Sequence, residues 1–298
     1  MKVAIIGSTG QLGSDILDVF GEKALPLSHD EIEVKDIASC RRVLKNVDAV
    51  INCAAYVKVD DSEGHPEEAF MVNAVGARNV ALVCNENQMK NVYISTDFVF
   101  DGNKKTPYQE DDPPNPINIY GLSKYAGEIL TRNYCRSFYI IRSASLFGRK
   151  GARGKGGNFV EWMIKKASNN EIIKVVDDIV MSPTYTRDAA KMIQNIMERK
   201  LPYGIYHVTN QGCCSWLEFA KEIFEFLDID AKLFPIKSDA LNRKAKRPKF
   251  SALESTKLTS FGLRMRNWED ALEDYLIEKG YYIKTCHAEG GLDLCCLE

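Results

Sequence analysis

Through residues 1–145, short apolar runs alternate with longer stretches whose apolar positions recur at helical spacing. Lys2–Ile6, Ala24–Ser28, Asp48–Asn52, Asn91–Ser95 and Phe138–Arg142 have the length and continuity of strands in a sheet covered on both faces. Between them Gln11–Phe20, Ile37–Asn46, Pro66–Asn87 and Tyr120–Asn133 predict amphipathic helices. The third opens on Pro66, Glu67 and Glu68, a proline and two acids suited to a first helical turn. Strands and helices in strict alternation, joined by right-handed crossovers, predict an α/β fold built on a doubly wound parallel sheet.

After about residue 145 the pattern breaks into a glycine-rich basic loop, Gly148 to Gly157, and then mixed segments. Gly204–Val208 predicts a strand, and Ser215–Leu227 a helix with Ser215 as N-cap and Glu218 completing a capping box. The expected organisation is a nucleotide-binding domain over 1–145 joined by later returning segments, and a smaller C-terminal lobe, mainly 146–280, that closes over a ligand. The tail, 281–298, carries Cys286, His287, Cys295 and Cys296 without helical or strand periodicity and is expected to fray rather than hold a metal.

Composition narrows the function. With 45% hydrophobic and 27% charged residues the chain is an ordinary folded one. A net charge of −2, with Lys and Arg dispersed apart from Arg243 to Lys249, gives no footprint for nucleic acid. The opening MKVAIIGSTG is too short for a signal-peptide core, and no run approaches the roughly 20 apolar residues of a membrane span, so a cytoplasmic protein is expected. Cys40, Cys53, Cys84, Cys135, Cys213, Cys214 and Cys286 show no CxxC spacing and read as reduced thiols.

The glycines of Gly7-Ser8-Thr9-Gly10-Gln11-Leu12-Gly13 sit between the first strand and the first helix. There Gly7 permits a tight turn, Gly10 lets backbone approach a diphosphate, and Gly13 lets the helix pack against the sheet. The helix N-terminus adds unpaired N–H groups and partial positive charge, so a dinucleotide is expected. At the end of the second strand Ser28, His29 and Asp30 mix chemistries and leave NADH and NADPH both open.

Tyr120-Gly121-Leu122-Ser123-Lys124 places a phenol and an ammonium four residues apart, on one helical face. A phenol titrates near ~10, and bringing it toward neutrality requires roughly 4 kcal/mol of preference for the phenolate, which a nearby ammonium can supply. Ser95-Thr96-Asp97 ends the preceding strand, at the sheet edge where ligands bind, so Thr96 would project a hydroxyl into the cleft. Thr96, Tyr120 and Lys124 are therefore the catalytic candidates: a hydroxyl to position a carbonyl, an acid to protonate it and a cation to tune the acid.

At this point the chain resembles the dTDP-4-dehydrorhamnose reductase family, extended short-chain dehydrogenases with a Rossmann domain, over roughly residues 1–280. The resemblance is carried by Gly7–Gly13, Asn52-Cys53-Ala54-Ala55-Tyr56, Val59-Asp60, Val72-Asn73-Ala74, the run from Ser95 to Gly102 (STDFVFDG), Tyr120–Lys124 with Gly127-Glu128, Ser182-Pro183-Thr184, Gly204–His207, and Arg247-Pro248 with Ser251 and Leu253. It implies NADPH- or NADH-dependent reduction of the C4 ketone of a nucleotide-linked, most simply dTDP-linked, deoxy-hexulose. It also implies a monomer or homodimer. Gly7, Gly10, Gln11, Leu12, Gly13, Ala54, Ala55, Tyr56, Asn73 and Ser95, with Tyr120 and Lys124, become cofactor candidates; Thr96, Asp97, Ser145, Asn158, Arg247 and Ser251 become substrate candidates. Arg247 is matched to diphosphate oxygens by its planar fork. Some members of the family bind magnesium between subunits, but no carboxylate cluster in this sequence calls for one.

Two departures fall on the substrate side. The family's tryptophan after the Arg142 position is missing from Ser143-Ala144-Ser145-Leu146-Phe147, and in the RPxNSxLD-like segment Phe250 replaces asparagine while the acid is displaced to Glu254-Ser255. Two alternatives keep the scaffold: epimerase or dehydratase chemistry, for which Asp97 leaves room, and a non-catalytic, cofactor-binding regulatory subunit, as the beta subunit of methionine adenosyltransferase resembles the same family. An intact Thr96, Tyr120 and Lys124 argues against the latter.

Overall fold

The computed structural model describes residues 1–151 and 157–281. In chain order its first half runs β1 (Val3–Ile6), α1 (Gln11–Phe20), β2 (Ala24–Leu27), α2 (Ile37–Val43), β3 (Ala49–Asn52), α3 (Val59–Ser62), α4 (Pro66–Phe70), α5 (Gly76–Glu86), β4 (Lys90–Thr96), α6 (Ile119–Tyr134) and β5 (Phe138–Ser143). There follow β6 (Leu146–Phe147), α7 (Phe159–Ser168), β7 (Ile173–Val176), β8 (Val180–Met181), β9 (Thr184–Tyr185), α8 (Thr186–Glu198) and β10 (Gly204–His207). Last come β11 (Cys214–Ser215), α9 (Trp216–Phe226), β12 (Leu233–Ile236), α10 (Thr256–Ser260) and α11 (Trp268–Glu278).

The central sheet has the order β10-β5-β4-β3-β1-β2, every neighbouring pair parallel. This is the expected doubly wound fold, with β10 as a sixth strand beside β5. Its two faces follow from alternation along the strands. Val3, Ile5, Ile51, Ile94 and Ile141 pack toward α1 and α8, while Ala4, Ile6 and Val50 pack with Val80 and Cys84 of α5 on the other side. The direction of winding reverses at β1, between β2 and β3, and such a reversal opens a crevice outside the carboxyl ends of the strands.

The stretch expected as one helix from Pro66 to Asn87 is divided by a π-helical turn at Met71–Val75. The Asn73 carbonyl there accepts from the buried Tyr93 hydroxyl at 2.9 Å, a bond that helps hold the distorted turn. A second core joins Phe147, Tyr185, Phe219, Trp268 and Tyr275 from the later elements, and the capping box predicted at Ser215 and Glu218 is present at the start of α9. Cys40, Cys84, Cys135 and Cys214 are buried free thiols, Cys53 is partly buried and Cys213 exposed. The glycine-rich loop at 152–156 and the tail cysteines with His287 lie outside the described residues. Among those residues no helix is long and apolar enough to cross a membrane.

Candidate active site

The first element of the site is a cradle at the end of β1. Gly7 has φ +76°, and its backbone passes so close to Cys53 and Ala54 that a Cβ would lie 3.2 Å from the Ala54 nitrogen. Gly10 caps α1, and no side chain takes a capping bond there, so the first-turn N–H groups are not spent on a side-chain acceptor. Gly13 rests on the turn itself. A methyl there would collide with the Gly7 carbonyl oxygen and lie 2.9 Å from its carbon. Backbone would have to move, so Gly13→Ala should cost about 1–3 kcal/mol and weaken dinucleotide binding. Thermal melting with and without NADPH checks this; an unchanged melting temperature would contradict the packing role. Leu12 buries its side chain in the core, and the Gln11 amide donates to the Leu146 carbonyl at 2.9 Å, so both offer backbone rather than side chain.

The loop after β3 forms the next wall. Ala54, Ala55 and Tyr56 are partly exposed. Asn73 is fully buried and stitches this loop to α6: it accepts from Tyr56 N at 2.8 Å and donates to Tyr56 O at 3.3 Å and to Ser123 Oγ at 2.9 Å. With its amide committed in this way, Asn73 is a positioning residue for the loop. The Tyr56 hydroxyl donates to Asp61, and that hydrogen bond pushes its pKa up to about 12.

At the end of β4 the predicted hydroxyls and acid converge. Asn118 caps α6, accepting from Gly121 N at 2.7 Å, and Gly121 lets the helix start lie directly on the turn at Asp97–Val99. This brings the Tyr120 hydroxyl up to that of Thr96 and sets its ring edge-on to Phe98 at 5.7 Å. Thr96 donates to Asp97 at 2.9 Å, and Ser251 bonds the same carboxyl group. Burial raises Asp97 to about 6 against these bonds, and burial likewise raises the Tyr120 phenol to about 12. The phenol is therefore held protonated at neutral pH, the form a proton donor needs.

Lys124 shares the helix face with Tyr120 but does not lower its pKa in this structure. Its ammonium donates to the Ile94 carbonyl at 2.6 Å and lies 4.1 Å from the centre of the Tyr93 ring. Burial lowers Lys124 to about 7, against the pull of Glu128. The i to i+4 spacing aligned the two residues correctly, yet the shorter path for a long side chain led into the sheet.

Four other candidates are placed differently. The Ser95 hydroxyl points to the opposite sheet face, donating at 2.5 Å to Glu128, which is held in a buried bidentate pair with Arg142. It supports α6 instead of reaching the crevice. Asn158 is the N-cap of α7, accepting from Glu161 N at 3.0 Å and donating to Gly148 O and the Tyr275 hydroxyl, so its side chain belongs to the second core. Arg247 is not an open anion receptor: its fork is closed on Asp60 at 2.8 and 2.6 Å, which holds that carboxyl down at about 2. These two residues are far apart in the chain, and no local pattern foretells their pairing. Ser145 lies partly exposed just after β5 with φ +43°, a left-handed backbone. Beside the cluster a cleft of about 760 Å³ runs from Asp101 to Phe250, bordered by Lys104, Lys105, Arg243 and Lys246 and by the carboxylates of Asp101 and Asp239. Among the described residues no group of three or more His, Cys, Asp or Glu is arranged to hold a metal ion.

Residues 1–280 match the family model described as the RmlD substrate binding domain. A dTDP-4-dehydrorhamnose reductase of Mycolicibacterium smegmatis is 37% identical over 279 residues, covering 92% of this chain and 84% of that protein. The chain belongs to the dTDP-4-dehydrorhamnose reductase family. The spore coat polysaccharide biosynthesis protein SpsK of Bacillus subtilis is 36% identical, covering 93% and 98% of the two chains. Among solved structures, the dTDP-4-dehydrorhamnose reductase of Bacillus anthracis in complex with NADP superposes with a TM-score of 0.88 at 38% identity, over 93% of this chain and all of that one.

Against that family membership the departure in the RPxNSxLD-like segment has structural partners. Phe250 lines the cleft immediately before Ser251. Glu254 accepts from the Gln109 amide at 3.1 Å and Ser255 donates to His207 O at 2.7 Å, so the displaced acid ties the segment to its neighbours.

Proposed function

We propose that the chain reduces the C4 ketone of a dTDP-linked 4-keto-6-deoxysugar at the expense of NADPH or NADH. The observation that carries this is the Thr96–Tyr120 hydroxyl pair at the carboxyl end of β4, on the sheet whose first strand ends in the glycine cradle. Gly7, Gly10 and the first turn of α1 fit a diphosphate, and Ala54 to Tyr56 fit the body of a dinucleotide. When bound, the nicotinamide supplies the hydride. The protein's part is to hold the ketone oxygen at the Thr96 and Tyr120 hydroxyls and to deliver the Tyr120 proton to it. Asp97, bonded by Thr96 and Ser251, orients those hydroxyls; the Lys124 ammonium would turn from the Ile94 carbonyl to hold ribose hydroxyls when the cofactor binds. The cations around the adjoining cleft suit the sugar's nucleoside diphosphate, and the aromatic second core, mainly from 146–280, supports the substrate side.

Absorbance at 340 nm tests this directly, with NADH and NADPH against a panel of nucleoside-diphosphate 4-keto-6-deoxysugars. Stoichiometric loss of reduced cofactor with a dTDP-linked member is expected. Product isomerisation without net loss would instead mean epimerase chemistry, and tight cofactor binding without turnover a regulatory subunit.

A further inference from the structure

Ser28-His29-Asp30-Glu31, which as a sequence mixes hydroxyl, base and acid, forms one tight turn at the carboxyl end of β2. The carbonyl of Leu27, the last residue of that strand, accepts from Gly7 N at 2.9 Å and Ser8 N at 3.3 Å, so the turn stands directly beside the glycine cradle. A dinucleotide whose diphosphate lies over the first turn of α1 brings its adenosine ribose to this strand end.

The structure sorts the charges of the turn. Glu31 folds back on it: the carboxylate accepts from Ser28 N, and its bonds with Ser28 lower its pKa and keep it ionised. The Ser28 hydroxyl accepts from Asp30 N at 3.2 Å, and Asp30 and Glu31 are both exposed. The neighbouring bases are engaged elsewhere. His29 lies 4.0 Å from Glu33, while Lys35 donates to Glu68 at 3.0 Å and pairs with Glu33 at 3.8 Å. Among the described residues no lysine or arginine hydrogen-bonds or pairs with residues 28 to 31.

Resting on the dinucleotide reading of the cradle, we propose that this turn makes the protein prefer NADH to NADPH, with Glu31 as the residue that sets the preference. The Glu31 carboxylate accepts from the ribose 2′-hydroxyl of NADH. A 2′-phosphate in the same place sets further negative charge against Glu31 and Asp30, with no cationic donor to receive it. NADPH remains a ligand, though a weaker one, because the two acids are exposed and screened by salt.

Fluorescence titration of NADH and NADPH tests this, for wild type, Glu31→Gln and the double variant Asp30→Asn/Glu31→Gln. Wild type should bind NADH about 10-fold or more tighter than NADPH at low salt, with a gap that narrows as salt rises. ADP and its 2′-phosphate should follow the same order, which assigns the difference to the adenosine end. Glutamine can still accept from Ser28 N, so Glu31→Gln should melt as wild type does while its NADPH affinity rises about 3- to 10-fold, and the double variant should gain more. Wild type that binds the two cofactors equally or NADPH more tightly, or an unchanged ratio of the two Kd values in the double variant, overturns the proposal. Failure of wild type to bind either cofactor would instead overturn the dinucleotide reading on which it stands.

Discussion

Replacing Tyr120 by phenylalanine should lower turnover by about 10²-fold or more while leaving the fold and cofactor affinity close to wild type. The substitution removes only the hydroxyl. The ring keeps its edge contact with Phe98, and the capping bond from Asn118 to Gly121 is untouched. What disappears is the protonated phenol that burial holds at about 12, beside the Thr96 hydroxyl. A parallel measurement of NADPH Kd and of turnover separates the two effects. Loss of turnover at constant Kd is the expected result, and an unchanged rate would remove Tyr120 from the chemistry.

Lys124→Met should act in the opposite sense on stability and function. The ammonium is 2% exposed, with one carbonyl and one aromatic face for company. Its pKa falls from an ordinary 10.5 to about 7 because burial penalises the charged form. Between about pH 7 and 10.5 the unfolded chain keeps a proton that the folded chain gives up, so this group makes stability rise with pH across that window. The penalty is full below about pH 7, where it amounts to up to ~5 kcal/mol, and absent above 10.5. Methionine removes it but also forfeits the bond to Ile94 O and the contact with Tyr93, leaving a net gain of about 1–3 kcal/mol at neutral pH. Cofactor affinity should nonetheless fall about 10- to 10²-fold, since hydrogen bonds from a charged donor to the ribose are lost. Denaturant titrations at pH 7 and pH 10 check the first half; a variant less stable than wild type at pH 7 would contradict it. Titration with NADPH checks the second.

Much of the architecture was legible because it rests on local pattern. The strand runs from Val3 to Ser143 alternate core residues of two faces, and the glycines at 7, 10 and 13 each meet a steric demand that a side chain would violate. Thr96 and Tyr120 could be paired because a strand end and a helix start can be placed from secondary structure alone, whereas Asp97 and Ser251 entered through the family resemblance. What escaped depended on long-range partners. Ser95 and Asn158 are polar residues near the site, but one is claimed by Glu128 across the sheet and the other by the first turn of α7. Arg247 has the right shape for a diphosphate, yet Asp60 meets it first, through a contact that spans most of the chain. The π-helical turn at Met71–Val75 follows the same rule: its partner, the Tyr93 hydroxyl, is twenty residues away on β4.

The most direct test of the account follows an atom. The enzyme would be given NADPH carrying deuterium on the transferring face of C4 and a dTDP-linked 4-keto-6-deoxysugar, and the isolated sugar product weighed by mass spectrometry. The account predicts one deuterium per product molecule, bound to the sugar's C4, with one cofactor oxidised for each. A product without deuterium, or one formed with no net cofactor oxidation, would contradict it.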